Sequence, residues 1–349
     1  MRAARPAVMG AVALTGALLL SGCGSDDSSD AAAPTGGGSA PAGGSGEPVA
    51  AVIKGLDNPF FQTMQEGIES QASTSGTTVQ VQAAQAITDT TGQADRLSAL
   101  AQQSYGCFIV NPITGNNLVQ GLAQIAARGI PVVNIDQPVD AEAAEAAGLE
   151  TATYIGTNNV NAGKLAGEQM VEAVGSGKVA VIGGLAGDVT SAARIEGFTQ
   201  AIGTTLTALP VQAADWERQK ALTIATDLLT ANPDLKGIFA ANDDMGLGAA
   251  QAVANAGKAG QVSVISVDGN KDALEAVQAG TLTATVAQYP YAIGSLGVQA
   301  CVAAEQGKDL PENIESPVAL VTKDVAADAI ATFPQPFEEF DNPLADLAG

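Results

Sequence analysis

The sequence predicts an α/β protein made of two doubly wound parallel-sheet lobes, and three observations carry that reading. From Val49 onward, short apolar runs alternate with longer segments whose apolar residues recur every three or four positions. The runs are apolar at nearly every residue, as strands read when helices cover both faces of a sheet. Nine or more such runs are present, too many for one compact open sheet, so they divide into two. The composition, 46% hydrophobic and 4% aromatic, requires a core filled mainly with Ala, Val, Ile and Leu.

The amino-terminal segment has a secretion pattern. Arg2 and Arg5 flank the start of an apolar stretch from Ala7 to Leu20, and Leu20-Ser21-Gly22-Cys23 follows. The stretch is short for a bilayer span and ends in small residues, so residues 1–22 are expected to be a signal peptide. Leu-Ser-Gly-Cys matches the lipobox pattern, whose cysteine becomes lipidated. The chain is therefore expected outside the cytoplasm, held to the membrane through Cys23 alone. Residues 23–48 are mostly Gly, Ser, Ala, Pro and Asp and form a flexible tether.

Strands are then expected at Val49–Ile53, Val79–Val81, Cys107–Val110, Ile130–Ile135, Thr153–Ile155, Val179–Ile182, Gly237–Ala241, Val262–Val267 and Thr283–Ala287. Leu118, Leu122, Ile125 and Ala126 mark the face of one intervening helix. Gly76 and Gly129 sit where helices close just before strands. Cys107 reads as strand and Cys301 as helix; outside the cytoplasm they are either a disulfide or two buried thiols.

Charge and composition exclude several classes of function. A formal net charge of −22 repels nucleic acid and anionic membrane surfaces. The chain has no His, which removes the commonest general base, the Ser-His triad and the usual zinc ligand. Catalysis, a metal and a cofactor are all unexpected. Gly183-Gly184-Leu185-Ala186-Gly187 follows a strand but lacks full dinucleotide spacing, and there is no Walker lysine pattern. Asp268-Gly269-Asn270-Lys271-Asp272 begins like a calcium loop, yet Ala273 and Ala279 stand where Gly and Glu are needed. Asp243 and Asp244 are adjacent and point apart, so they make no glycosidase pair.

Binding remains. In doubly wound sheets ligands sit beyond the carboxyl ends of the strands. Here those ends carry Lys54, Asp136 with Gln137, Asn242 with Asp243, Asp268, and Gln288. The first is followed by Asp57-Asn58-Pro59-Phe60-Phe61. Asp, Asn, Gln and Arg can each engage adjacent sugar hydroxyls, and aromatic rings cover sugar C–H faces. Asp136, Arg194, Asn242, Asp268 and Gln288 are the candidate rim; Phe60, Phe61 and Trp216 are the candidate walls. The competing assignments are core packing for the two Phe, a surface anchor for Trp216, and an ion pair of Arg194 with Glu196 or Glu168.

From Val49 to about Thr322 the chain resembles the periplasmic sugar-binding proteins of the ribose, allose and galactose group, which serve ABC importers. The matching pieces are Asp57-Asn58-Pro59-Phe60-Phe61, Val110-Asn111-Pro112, Ile130-Pro131-Val132-Val133-Asn134-Ile135-Asp136 and Arg194-Ile195-Glu196-Gly197-Phe198. Next come Ala214-Asp215-Trp216-Glu217-Arg218, Ala241-Asn242-Asp243-Asp244-Met245-Gly246-Leu247-Gly248-Ala249, Val267-Asp268-Gly269 and Thr285-Val286-Ala287-Gln288.

The resemblance implies the type I periplasmic binding protein fold, a two-lobed clamp with a three-crossover hinge near Thr157, Gln288 and Ala319. The amino-terminal lobe would take residues 49–157 plus 289–319, the other 158–288 plus 320–340, leaving 341–349 as an acidic tail. Lys54, Asn58, Phe60, Phe61, Asp136 and Gln137 are then first-lobe contacts. Arg194, Trp216, Asn242, Asp268 and Gln288 belong to the second lobe and hinge. The implied ligand is a monosaccharide or polyol and the implied partner an ABC permease. The chain would work as a monomer, without nucleic acid and without a cofactor.

Three departures bear on the ligand. Lys54 is similar to the allose-binding branch, Gln137 replaces a ribose-branch arginine, and Val267 replaces an aromatic. They favour allose, another aldose or a sugar alcohol over ribose. A sugar-loaded signal to a chemoreceptor or sensor kinase is the alternative role. Sugar-responsive repressors share the fold but carry a basic helix-turn-helix, which this chain lacks.

Overall fold

The computed structural model describes residues 46–338 and 340–347. The expected signal peptide, Cys23 and most of the expected tether lie outside the described residues. In the first lobe β1 (Val49–Ile53), β2 (Val79–Ala83), β3 (Cys107–Val110), β4 (Val132–Ile135) and β5 (Thr153–Thr157) alternate with α1 (Pro59–Ser75), α2 (Thr90–Leu100), α3 (Val119–Ala126) and α4 (Ala141–Ala147). The second lobe opens with α5 (Asn159–Val174), β6 (Gly177–Gly183), α6 (Val189–Ile202), β7 (Leu206–Ala208) and β8 (Gln212–Ala213). It continues through α7 (Arg218–Ala231), β9 (Leu235–Ala240), α8 (Asp243–Asn255), β10 (Ser263–Asp268), α9 (Lys271–Ala279) and β11 (Ala284–Ala287). The chain closes with α10 (Pro290–Glu305), β12 (Asn313–Ser316), β13 (Ala319–Thr322) and α11 (Ala326–Thr332).

The first sheet has the order β12-β5-β4-β3-β1-β2 and the second β13-β11-β10-β9-β6-β7, with β8 also on β6. The chain passes from one sheet to the other after β5, back after β11, and across again between β12 and β13. All pairs are parallel except β13, which runs antiparallel to β11. β7, β8, β12 and β13 have no counterpart among the expected strands. Each is only two to four residues long, and β12 and β13 alternate in burial instead of being apolar throughout.

Strand periodicity explains the two cores of each lobe. Val49, Ala51 and Ile53 join one apolar cluster with Cys107 and Ile109, while Ala50 and Val52 join the cluster on the opposite face with Phe108 and Val110. Helix ends follow local chemistry. Asn58 caps α1 by accepting from the Phe60 N–H at 2.9 Å, with Pro59 in the first turn. Gly76 and Gly129 take φ of 65° and 79°, as expected at helix ends. α5 and α6 pack unusually closely because Gly163 and Gly197 face each other's helices. A Cβ at Gly163 would lie 1.9 Å from the Arg194 carbonyl oxygen.

Two features resolve or revise the sequence reading. Cys107 on β3 and Cys301 on α10 form a disulfide, with Cα atoms 5.7 Å apart. The carboxyl-terminal segment is not a free acidic tail. Phe333 and Phe337 pack on a second-lobe core cluster, whereas Phe340 and Leu347 pack on a first-lobe one and Leu344 is wholly buried there. Asn342 Nδ2 also donates to Gln299 Oε1 on α10 at 2.9 Å. The apolar residues spaced through 333–347 outweigh the acidic ones that suggested a tail.

Candidate ligand-binding cleft

The carboxyl ends of both sheets converge on one cavity with about 470 Å³ of free space, its mouth included. Lys54, Asn58, Phe60, Phe61, Ile87, Ile113 and Asp136 line it from the first lobe. Leu185, Thr190, Arg194, Trp216, Asn242 and Asp268 line it from the second. The cavity lies where the strand-end rule points, and nine of the sequence candidates stand on its wall.

On the first-lobe wall, Lys54 Nζ lies 3.7 Å from Asp136 Oδ2 and 5.3 Å from the centre of the Phe61 ring. Phe60 and Phe61 meet edge to face at 5.2 Å, and both are members of the core cluster as well as lining the cavity. For these two, the wall and core assignments hold together. Asp136 takes φ of 59°, a left-handed conformation that costs a non-glycine residue energy. Its N–H donates to Ile155 O at 2.8 Å, and its carbonyl accepts from the Tyr154 hydroxyl at 2.7 Å. Asp57 accepts from the Ile87 N–H at 3.1 Å, which folds the loop after β2 into the wall.

The second-lobe wall is built around Arg194, which is 4% exposed. Its Nε donates to Asn159 Oδ1 at 2.8 Å, and its Nη1 donates to Ala241 O at 2.7 Å and to Asp268 Oδ1 at 3.1 Å. The alternative of a surface ion pair fails: Glu168 pairs with Lys164 and Glu196 accepts from Gln200. Arg194 also stands 5.7 Å from the Trp216 ring. Asp268 Oδ1 accepts a second bond from Gln288 Nε2 at 2.7 Å. Burial pushes the Asp268 carboxyl up to about 7, with the Arg194 charge opposing the shift and Asp136 adding to it. Asn242 accepts from the Met245 N–H at 2.9 Å, capping α8.

Trp216, the only Trp, is no surface anchor. It packs against core clusters of both lobes and against Gly184, where a Cβ would lie 2.1 Å from the ring. That ring fills the glycine turn that mimicked a dinucleotide site, and the Gly184 N–H already donates to Ser191 Oγ at 2.9 Å. Asp243 is buried and accepts from Ser266 Oγ, Thr285 Oγ1 and the Asn270 N–H, while Asp244 turns out to Arg218. Burial raises the Asp243 carboxyl well above the usual range. Among the described residues no cluster of His, Cys, Asp and Glu could hold a metal.

Two candidates are placed differently from the sequence expectation. Gln288 sits behind Asp268, and Gln137 turns its Oε1 to the Thr190 hydroxyl of the opposite lobe at 2.8 Å; neither is on the cavity wall. Val267 is wholly buried in the core cluster that holds Phe198 and Phe239 and is not on the cavity wall. Ile87, Ile113, Leu185 and Thr190 are lining residues that the sequence reading missed. Ile87, Ile113 and Leu185 are apolar residues in loops after strands, without the polar chemistry that singled out the others, and Thr190 lies in the first turn of α6, away from any strand end.

A family model described as periplasmic binding protein domain matches residues 49–309. The D-allose-binding periplasmic protein of Escherichia coli is 39% identical over 267 residues, covering 75% of this chain and 86% of the relative. The ribose import binding protein of Bacillus subtilis is 34% identical over 272 residues, covering 78% and 86%. Among solved structures, an ABC transporter periplasmic solute binding protein from Actinobacillus succinogenes with bound D-allose superposes with a TM-score of 0.77. It is 31% identical, covering 81% of this chain and 99% of that one.

Proposed function

This chain belongs to the periplasmic binding protein family, and we propose that it captures a neutral aldose or sugar alcohol and delivers it to an ABC permease. The observation that carries the reading is the charge balance of a cavity walled by both lobes. Lys54 faces Asp136 and Arg194 faces Asp268, so each buried charge has its opposite nearby. No unbalanced charge remains for a sugar phosphate or a sugar acid. What remains is hydrogen-bonding capacity: the amide nitrogens of Asn58 and Asn242, Arg194 Nη2, Lys54 Nζ and the second carboxylate oxygens. That set suits ring hydroxyls.

The clamp closes because such a ligand contacts both walls at once, which favours the closed arrangement over the open one. Both walls come from one chain, which supports action as a monomer. The lipobox at Leu20 to Cys23 supports anchoring at the outer face of the membrane. Lys54 and the D-allose-binding relatives favour an allose-like ligand over ribose. A thermal-shift panel of D-allose, D-ribose, xylitol and other pentoses, hexoses and polyols tests this. Stabilisation by one or more neutral members, with the sugar recovered unchanged, is the expected result. Equal stabilisation by a sugar phosphate, or none by any member, would sink it.

A further inference from the structure

We propose that Gln137 and Thr190, the latter on the cavity wall, form a latch across the cleft that sets how long the clamp holds its ligand, acting through the hydrogen bond between them. The proposal rests on the sugar-binding reading and extends it to the rate of release. The Thr190 hydroxyl donates to Gln137 Oε1 at 2.8 Å, and both residues are buried, at 9% and 1% exposure. Among the described residues no other side-chain hydrogen bond joins the two walls of the cleft. The Asn158–Glu315 bond of 3.4 Å between the lobes is exposed and lies at the hinge.

Each partner is mounted rigidly on its own lobe. The Gln137 N–H donates to Asn111 Oδ1 at 3.3 Å, and its carbonyl accepts from Asn134 Nδ2 at 2.8 Å. On the other side, Asp188 caps α6 through the Ser191 N–H at 2.8 Å and fixes the turn that carries Thr190. Neither side chain can follow its partner when the lobes part, so the bond exists only in the closed clamp. A bond of that kind adds to closure whatever the ligand is, and apparent affinity rises with the fraction of closed clamp. Association starts from an open cleft and does not depend on it. Dissociation has to break it.

The test follows Trp216 fluorescence in stopped flow with D-allose, and with D-ribose and xylitol in parallel. Thr190→Val and Gln137→Met are each expected to speed dissociation about 5–10-fold, the loss of one buried hydrogen bond, with association within about twofold. The double variant should release no faster than the single ones, and Thr190→Ser, which keeps the hydroxyl, should release like the parent. Parent-like release from Thr190→Val, or effects that multiply in the double variant, would overturn the latch alone. Silence of the parent protein toward all three ligands would overturn the sugar-binding reading and the latch with it.

Discussion

Asp136 and Asp268 both take positive φ, 59° and 141°, at the ends of strands from opposite lobes. Such conformations cost on the order of 1–3 kcal/mol each and persist only where surrounding bonds hold them. Tyr154 holds the Asp136 carbonyl, and the Gln288 N–H holds the Asp268 carbonyl at 2.8 Å. Because the two carboxylates serve opposite walls, neither wall alone should bind well. Asp136→Ala and Arg194→Ala are each expected to weaken sugar affinity by about 2–3 kcal/mol, measured by titration calorimetry. A change under about threefold in both would remove these residues from the site. Arg194→Ala should also lower stability, because Asp268 would lose its buried counter-charge.

Asp268 gives a pH signature of its own. Its folded-state pKa of about 7 lies above the ordinary value of 3.8, so the folded protein holds this proton more tightly than the unfolded chain. Its contribution therefore falls as pH rises from about 4 to about 7, by at most about 1.4 kcal/mol per pH unit, and is level above that. Buried Asp243 acts in the same direction. Urea unfolding at a series of pH values should show Asp268→Asn with a shallower decline than the parent. A proton on Asp268 also removes a charged acceptor, so sugar affinity should weaken as pH drops below about 7.

Among the elements, α10 is joined to β3 by the Cys107–Cys301 disulfide across 194 residues of sequence. Closing so long a loop restricts the unfolded chain, and a Cys107→Ser, Cys301→Ser variant should lose about 2–5 kcal/mol of stability in denaturant unfolding. Sugar affinity should stay near the parent value, since neither cysteine lines the cavity. The α5–α6 pair is the element on which the site depends most. Gly163 and Gly197 let the two helices approach until Asn159 reaches the Arg194 Nε. Gly163→Ala should therefore disturb both stability and binding.

Across the whole molecule, the carboxyl-terminal segment touches core clusters of both lobes, in addition to the three passages between the sheets. Its anchor is Leu344, buried against the first lobe. Leu344→Asp places an unpaired charge there and should cost about 2–4 kcal/mol in thermal or denaturant unfolding. An unchanged melting temperature would show that this segment contributes nothing to the fold.

The sequence by itself determined the two lobes and the strand ends that line the cavity between them. Those follow from local rules: apolar periodicity marks strands, and doubly wound sheets bind at their carboxyl ends. Lys54, Asp136, Asn242 and Asp268 were legible for that reason. Only the tertiary structure decided where each side chain points and what it meets. Gln137 and Gln288 stand at strand ends yet turn to Thr190 and Asp268, partners 53 and 20 residues away in sequence. Val267 follows strand alternation into the core while Asp268 beside it reaches the cavity. The disulfide, the packed carboxyl-terminal segment and the loop residues Ile87 and Ile113 also depend on long-range proximity. Sequence spacing carries no measure of it, because burial and pairing are set by which surfaces the closed lobes bring together.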